Sequence, residues 1–177
     1  MRKVRIIIFF MIVYFLIVFL QANFFSWFNI KGIQPNLFVV FVLFVCLYTN
    51  SKIGQIMGFI IGIFTDLIFS NSVGISAVLF MFIGYAGEIL QKRFPKNSKI
   101  TLIIMSSITT AIYEVILVCY RYMFLSSEMR FLPFAMTLSI ELAFNALLII
   151  ILYPVINKAG ILVDDIFNGN DTVTKYF

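Results

Sequence analysis

Apolar segments of the length that crosses a lipid bilayer recur along this whole chain. A membrane-spanning helix needs about 20 mostly apolar residues, and six segments come close to that length. They are Val4–Phe25, Asn36–Tyr48, Ile53–Phe69, Val73–Leu90, Ile100–Phe124 and Phe131–Tyr153. Apolar residues make up 62% of the sequence and charged residues 12%, whereas soluble domains are roughly half apolar and a quarter charged. We therefore predict an all-α membrane protein, a bundle of six transmembrane helices whose excess apolar surface faces lipid.

Prolines mark one end of two of these segments. Pro35 precedes the second segment as a first-turn residue. Pro154 follows the sixth segment, where we expect it to end the helix. The predicted transmembrane domain therefore covers residues 1–160. The remaining residues, 161–177, are mildly acidic and are predicted to form a cytoplasmic tail.

Lysine and arginine are divided unevenly between the two sides that six spans define. If the N-terminus is inside, ten of the 13 basic residues lie on inner segments, two lie on outer loops, and Arg121 lies near the outer end of the fifth span. The inner ten are Arg2, Lys3, Arg5, Lys52, Lys92, Arg93, Lys96, Lys99, Lys158 and Lys175, and the outer two are Lys31 and Arg130. Because basic residues favour the cytoplasmic side of a membrane, both termini are predicted to be cytoplasmic.

This distribution also accounts for the net charge of +5 without nucleic acid as a partner. The basic run QKRFPKNSK, residues 91–99, can lie on anionic lipid headgroups on the inner side. On the outer side, Trp27 is predicted to anchor the chain at the membrane interface.

Groups that catalyse reactions or hold cofactors are scarce in this sequence. The chain contains no histidine, which excludes histidine-ligated metals and histidine acid–base catalysis. Ser76, in the segment GISAV, lacks the second glycine of a nucleophile elbow and has no histidine to activate it. We therefore expect no catalytic residues, no cofactor and no metal site.

One apolar segment, GQIMGFIIGIFTDLIFSNSVG at residues 54–74, carries a carboxyl group and evenly spaced glycines. Gly54, Gly58, Gly62 and Asp66 are four residues apart, so they follow one slowly winding face of a helix. Small residues at this spacing let membrane helices approach closely, and such a contact would hide the aspartate from lipid. We interpret this glycine stripe as a helix-packing or partner-interaction surface.

Three more charged residues lie within the predicted spans together with Asp66. Glu114 and Arg121 are in the fifth span, and Glu141 is near the middle of the sixth. The four side chains are candidates for a buried polar network. Charged groups inside a membrane mark ion or substrate paths, but they also pair as structural links between helices, and both interpretations stay open.

Other polar side chains have simpler interpretations. Ser139 and Asn145, on the sixth span, are expected to form hydrogen bonds between helices. Glu88 lies near the inner surface, where Lys92 follows one turn later and can pair with it.

The second to fourth segments, about residues 33–94, contain QPNLFVVFVLF, the polar turn TNSK, and GQIMGFIIGIFTDLIFSNSVGISAVLFMFIGYAGEILQKR. These stretches resemble the rod shape-determining protein MreD family. The family pattern is a Pro-Asp/Asn-Leu entry, glycines that lead to an aspartate, a short loop with a glycine, and a span ending in basic residues. The residues that match this pattern are Pro35, Asn36, Gly58, Gly62, Asp66, Gly74 and Gly84. Asn36 stands where aspartate is common in the family, so no charge is expected there.

The resemblance implies a non-enzymatic component of the bacterial cell-elongation machinery in the cytoplasmic (inner) membrane. Its implied partners are MreC, a single-span protein with an extracytoplasmic domain, and through it the MreB filament, RodA and a class B penicillin-binding protein. The implied fold is similar to the substrate-binding subunits of energy-coupling factor vitamin transporters. That similarity provides the alternative function, a vitamin-like small-molecule-binding subunit of a membrane transporter. Against this alternative, the first segment offers Ala22 alone in place of the Ala-xxx-Ala face through which those subunits meet their coupling partner.

Overall fold

The fold is a bundle of six helices joined by short connections. The computed structural model describes residues 2–30, 32–49, 51–69, 74–93, 98–124 and 131–167. The helices are α1 (Arg2–Phe19, continued by a π-helical turn, Leu20–Phe24, and a short turn, Phe25–Trp27), α2 (Leu37–Tyr48), α3 (Ser51–Phe69), α4 (Ile75–Arg93), α5 (Lys99–Phe124) and α6 (Phe131–Phe167). These ranges contain no strand, only an isolated bridge between Ile30 and Ile33.

Each helix lies on one of the six predicted apolar segments, so the prediction of an all-α fold is confirmed. Within the described ranges, four helical stretches are long and apolar enough to cross a membrane: Val4–Trp27, Lys52–Phe69, Lys99–Phe124 and Phe131–Phe167. The other two apolar stretches, Leu37–Tyr48 and Ile75–Gly87, are shorter. The multi-pass membrane class is therefore clear, and a full count of six spans stays a prediction.

The sixth helix is longer than its sequence suggested. It continues through Pro154 to Phe167, so the expected helix end at Tyr153 is wrong. Proline removes one backbone hydrogen bond and so destabilises the helix, but the residues after Pro154 offset that loss by packing against the core. Val163 is buried, and Ile156 and Phe167 pack against the same core.

Several predicted features lie outside the described residues. These are Lys31, Arg130, the loop residues 94–97, the tail residues 168–177, and the side chains of Glu88 and Lys92.

Helix α2 occupies the centre of the bundle. Eleven of its twelve residues are buried, and it contacts all five other helices. Its sequence, LFVVFVLFVCLY, is apolar on every side, which is the pattern of a helix surrounded by protein.

Helix α1 lies at the periphery and shows the opposite pattern. Phe10, Tyr14 and Ile17 are buried against the bundle, whereas Ile12, Phe15 and their neighbours are exposed. In a membrane protein, an exposed apolar face of this kind is the surface that lipid covers.

Candidate functional site

The glycines of the stripe lie where α3 meets its neighbours most closely. Helices α3 and α4 form the most extensive helix pair in the bundle. A Cβ atom added to Gly58 would lie 2.5 Å from the carbonyl oxygen of Phe80, and one added to Gly62 would overlap backbone atoms of Ser76 and Ala77. No side chain fits at either position, so the two backbones meet directly.

The contact is reciprocal, and the stripe changes partner along its length. A Cβ atom on Gly84 of α4 would lie 2.9 Å from the Cα of Gln55 on α3. Near the N-terminus of α3, the end that the predicted orientation places inside, a Cβ atom on Gly54 would lie 3.2 Å from the Cα of Cys46 on α2. The slow winding of residues four apart therefore carries the stripe from α2 at Gly54 to α4 at Gly58 and Gly62.

Asp66 ends the stripe and contacts the first turn of α4. Its side chain is 1% exposed. Its Oδ2 atom accepts hydrogen bonds from the backbone N–H groups of Gly74, at 2.8 Å, and Ser76, at 3.0 Å. Gly74 has a φ angle of 108°, a left-handed conformation that favours glycine.

The position of Asp66 explains how a carboxyl group fits this apolar segment. The first N–H groups of a helix have no partner within the helix, and the interior of a bilayer has no water to satisfy them. The carboxyl group provides that partner, at the end of the helix where the backbone dipole favours negative charge. Asp66 thus caps α4 and ties it to α3.

A second polar link runs from the same turn to α5. The Ser76 hydroxyl and the Tyr113 hydroxyl lie 3.2 Å apart and share a hydrogen bond. The Tyr113 ring stacks on Phe80 with the ring centroids 5.5 Å apart. The start of α4 is therefore connected to both α3 and α5.

The other three charged residues of the predicted network lie together on α5 and α6. Glu114 and Glu141 lie close enough for their carboxyl groups to interact, and Arg121 is near enough to act on both electrostatically. The Oε2 atom of Glu141 is buried and has no hydrogen-bond partner among the described residues. Glu114 is 6% exposed. Asp66 accepts hydrogen bonds from the backbone at the start of α4 instead. The structure thus brings Glu114, Arg121 and Glu141 together. Asp66 lies apart from them, at the start of α4.

Sequence reasoning missed a polar cluster around the buried start of α2. Gln21, in the π-helical turn, donates from Nε2 to the Pro35 carbonyl at 2.8 Å and accepts from the Leu37 N–H at 3.4 Å. Asn145 of α6 accepts from the Asn36 N–H at 3.1 Å and donates to the Thr110 hydroxyl of α5 at 2.9 Å.

We call Gln21, Asn145 and Thr110 the outer amide cluster, because the predicted orientation places this end of the bundle outside. All three side chains are buried. The available sequence signal was the single amide of Gln21 within a long apolar run. For Asn145 the expected interhelical bond is confirmed, whereas the Ser139 hydroxyl donates to the Ala135 carbonyl of its own helix, so that expectation was wrong.

The opposite end of α2 rests against glycines from three helices. Cys46 lies beside Gly54 of α3 and Gly87 of α4, and the Tyr48 ring lies against Gly160 of α6. We call these three glycines the inner glycine seat, because the predicted orientation places this end of the bundle inside. Nearby, the Lys99 ammonium group lies 4.9 Å from the centroid of the Tyr153 ring, which joins α5 to α6 at this end.

Together these features define a class of protein: a multi-pass, all-α membrane protein in which several buried polar side chains join one helix to another. The family model for rod shape-determining protein MreD matches residues 2–159. The chain therefore belongs to the MreD family and is a rod shape-determining membrane protein. Searches of curated proteins and of solved structures give no match, so the expected similarity to vitamin-transporter subunits stays a prediction.

Proposed function

We propose that this protein is a non-enzymatic scaffold of the bacterial cell-elongation machinery. It lies in the cytoplasmic membrane with both termini inside. Its direct partner is an MreC-like single-span protein, and it reaches an MreB-like filament, RodA and a class B penicillin-binding protein indirectly. Membrane lipids surround it.

One observation supports a scaffold most directly. The residues of the family pattern within α3, α4 and the turn between them are Gly58, Gly62, Asp66, Gly74 and Gly84. Each lies in the α3–α4 contact or caps the start of α4. They serve to hold two helices in one rigid arrangement, which is what a protein needs in order to present a fixed surface to a partner.

The partner prediction can be tested by affinity purification. A tagged copy of the chain, purified from native membranes, is expected to carry the MreC-like protein, and depletion of the chain is expected to turn rods into spheres. An unrelated multi-pass protein with the same tag and membrane level is the control. Normal rods after depletion, with no partner recovered even after crosslinking, would refute the proposal.

The orientation follows from the ten-to-two division of basic residues. Reporter domains fused after Lys96 and after Phe177 are expected to be active in the cytoplasm, because basic segments resist transfer across the membrane. A reporter at Ser127 is expected to be active outside. A cytoplasmic signal at Ser127 would exclude the six-span arrangement.

The alternative function, vitamin binding, predicts a different result from the purified protein. A cavity of about 110 Å³ lies between α1 and α3 and is lined by apolar side chains that include Phe10, Met57 and Phe64. A larger and more open groove of about 400 Å³ lies between α4 and α5 and is lined by side chains that include Leu79, Phe82 and Ile116. Small-molecule sites of about 300–1,000 Å³ usually carry a few precisely placed polar groups that orient the ligand, and both of these spaces expose almost no polar surface. We expect no small molecule to bind the purified protein with nanomolar affinity. A co-purifying vitamin, identified by mass spectrometry, would favour the transport subunit over the scaffold.

A further inference from the structure

The groove between α4 and α5 separates two helices that follow each other in the chain but touch little. Their contact is much smaller than the contact between α3 and α4. They meet where the Tyr113 ring stacks on Phe80 and the Tyr113 hydroxyl shares a hydrogen bond with Ser76. Beside this contact the groove has a volume of about 400 Å³, so a sizeable space stays open along the side of the bundle.

The walls of this groove suit a hydrocarbon chain. Leu79, Ile83 and Thr109 on its floor are buried, whereas Phe82 and Ile112 on its rims are exposed. The Thr109 hydroxyl already donates to a backbone carbonyl of its own helix at 2.9 Å. An apolar chain in the groove contacts both helices at once, whereas a lipid tail on an exposed helix face contacts that helix alone.

Positive charge is concentrated at the ends of these same two helices that the predicted orientation places inside. Lys92 and Arg93 are the last two residues of α4, and Lys99 is the first residue of α5. Residues 88–99 contain four basic residues and one acidic residue, a net charge of +3. The N-terminus of α5 adds the positive end of its helix dipole. Basic clusters next to membrane helices attract anionic lipid headgroups.

The groove lies within reach of a lipid whose headgroup is at these charges. Ala86 is about 10 Å along α4 from Arg93, and Thr109 is about 15 Å along α5 from Lys99. One leaflet of the bilayer interior is about 15 Å thick. A tail that starts at the basic helix ends therefore extends as far as Ala86 and Thr109, both of which line the groove. The basic helix ends and the apolar groove thus match the two parts of one anionic lipid.

We propose that the groove between α4 and α5 is a binding site for an anionic phospholipid of the inner leaflet. One acyl chain fills the groove, and the phosphate headgroup lies at the basic inner ends of the two helices. This site is formed by the chain alone, so it goes beyond the proposed function and is independent of whether a partner binds.

Titration of the purified full chain with two lipids tests recognition of the headgroup. Native mass spectrometry is expected to show one dioleoyl phosphatidylglycerol bound about tenfold more tightly than dioleoyl phosphatidylcholine, because each basic residue near an anionic lipid strengthens binding about fivefold. Arg93→Gln combined with Lys99→Gln should abolish this preference. The control, Lys3→Gln combined with Arg5→Gln, removes the same charge from the start of α1 and should leave the preference unchanged.

A matched pair of substitutions tests the groove itself. Ala86→Phe places a ring in the groove, whereas Ala143→Phe adds the same ring at an exposed position on α6. Only Ala86→Phe is expected to abolish the one-to-one complex with phosphatidylglycerol. In the unmodified protein, phosphatidylglycerol that carries a diazirine in its acyl chain should label residues 79–86 and 109–116 more than any other part of the bundle.

Each measurement has an outcome that would overturn the proposal. Equal binding of the two lipids would show that the headgroup is not recognised, and normal binding by Ala86→Phe would show that the groove holds no chain. Labelling spread evenly over all exposed helix faces would show surrounding lipid only, and it decides the question even if Ala86→Phe does not fold. In native membranes, a crosslink from the groove to another protein in place of lipid would assign the groove to a protein helix.

Discussion

Replacing Gly62 with leucine is expected to push α3 away from α4 and to lower the melting temperature of the purified protein by about 6–12 °C. Even a Cβ atom at this position overlaps the backbone of Ser76 and Ala77, and backbone atoms cannot move aside as the end of a flexible side chain can. Overpacking of a close contact costs about 3 kcal/mol at the upper end of its usual range, and each kcal/mol lowers the melting temperature by about 2–4 °C in a protein of this size. The same variant is expected to recover less of the MreC-like partner and to round the cells, while still inserting into the membrane.

A lipid-facing position on the same helix provides the matched control. Leu67 is 59% exposed, so Leu67→Ala should change neither the melting temperature nor the partner yield by much. If Gly62→Leu melts like the unmodified protein and recovers normal amounts of partner at matched membrane levels, the glycine stripe is neither a packing face nor a partner surface.

The second large effect is expected from Asp66→Ala. This substitution leaves the N–H groups of Gly74 and Ser76 without the acceptor that they have now. Hydrogen bonds to charged groups contribute about 1.5–3 kcal/mol each, so the loss of both is expected to cost about 3–6 kcal/mol. Hydrogen exchange at the amides of Gly74 and Ser76 should increase together with the loss of thermal stability.

Asp66→Asn should be milder, because its carbonyl oxygen can still accept from both amides. The cost is the lost charge at the start of α4, about 0.3–1 kcal/mol, together with burial of an amide NH₂ group where Oδ1 now has no hydrogen-bond partner. Asp165→Ala, at an exposed position on α6, is the control. Equal stability of Asp66→Ala and the unmodified protein would show that Asp66 does not cap α4.

The helices were predictable because each is a continuous apolar run, and the length of such a run limits where a helix can begin and end. The error at Pro154 arose because the sequence shows the lost hydrogen bond of a proline but not the packing that offsets it. Val163 and Phe167 reach the core because α6 continues past Gly160, which lies against the Tyr48 ring at the end of α2. That placement depends on the tertiary fold.

The glycine spacing predicted close approach, but it did not identify the neighbours. Gly54 faces α2 whereas Gly62 faces α4, and this difference depends on how the three helices cross. Likewise, a lone aspartate in an apolar run indicates a buried partner without saying what it is. Its partner is the backbone rather than a side chain. Because almost every residue type carries a backbone N–H group, the sequence does not identify such a partner.

Gln21 was overlooked for a related reason. One amide in a long apolar segment is readily accommodated by snorkelling or by a bond to its own helix, so it carries little information alone. Its importance comes from the π-helical turn, which places it beside Pro35 and the start of α2. No spacing rule applied to α1 by itself predicts that turn.

The short central helix also sets the order in which the protein can be built. Twelve residues of helix extend about 18 Å, well short of the roughly 30 Å of a bilayer interior, so α2 cannot settle in lipid as an independent span. Its polar ends need protein around them, and that protein includes α5 and α6, which are synthesised after it. In the nascent chain, α2 must therefore occupy a temporary position until α5 and α6 have been synthesised. Variants of Asn145 or Thr110 should accordingly reduce the amount of protein that matures, and proteolysis of the unfinished bundle should precede any loss of partner binding.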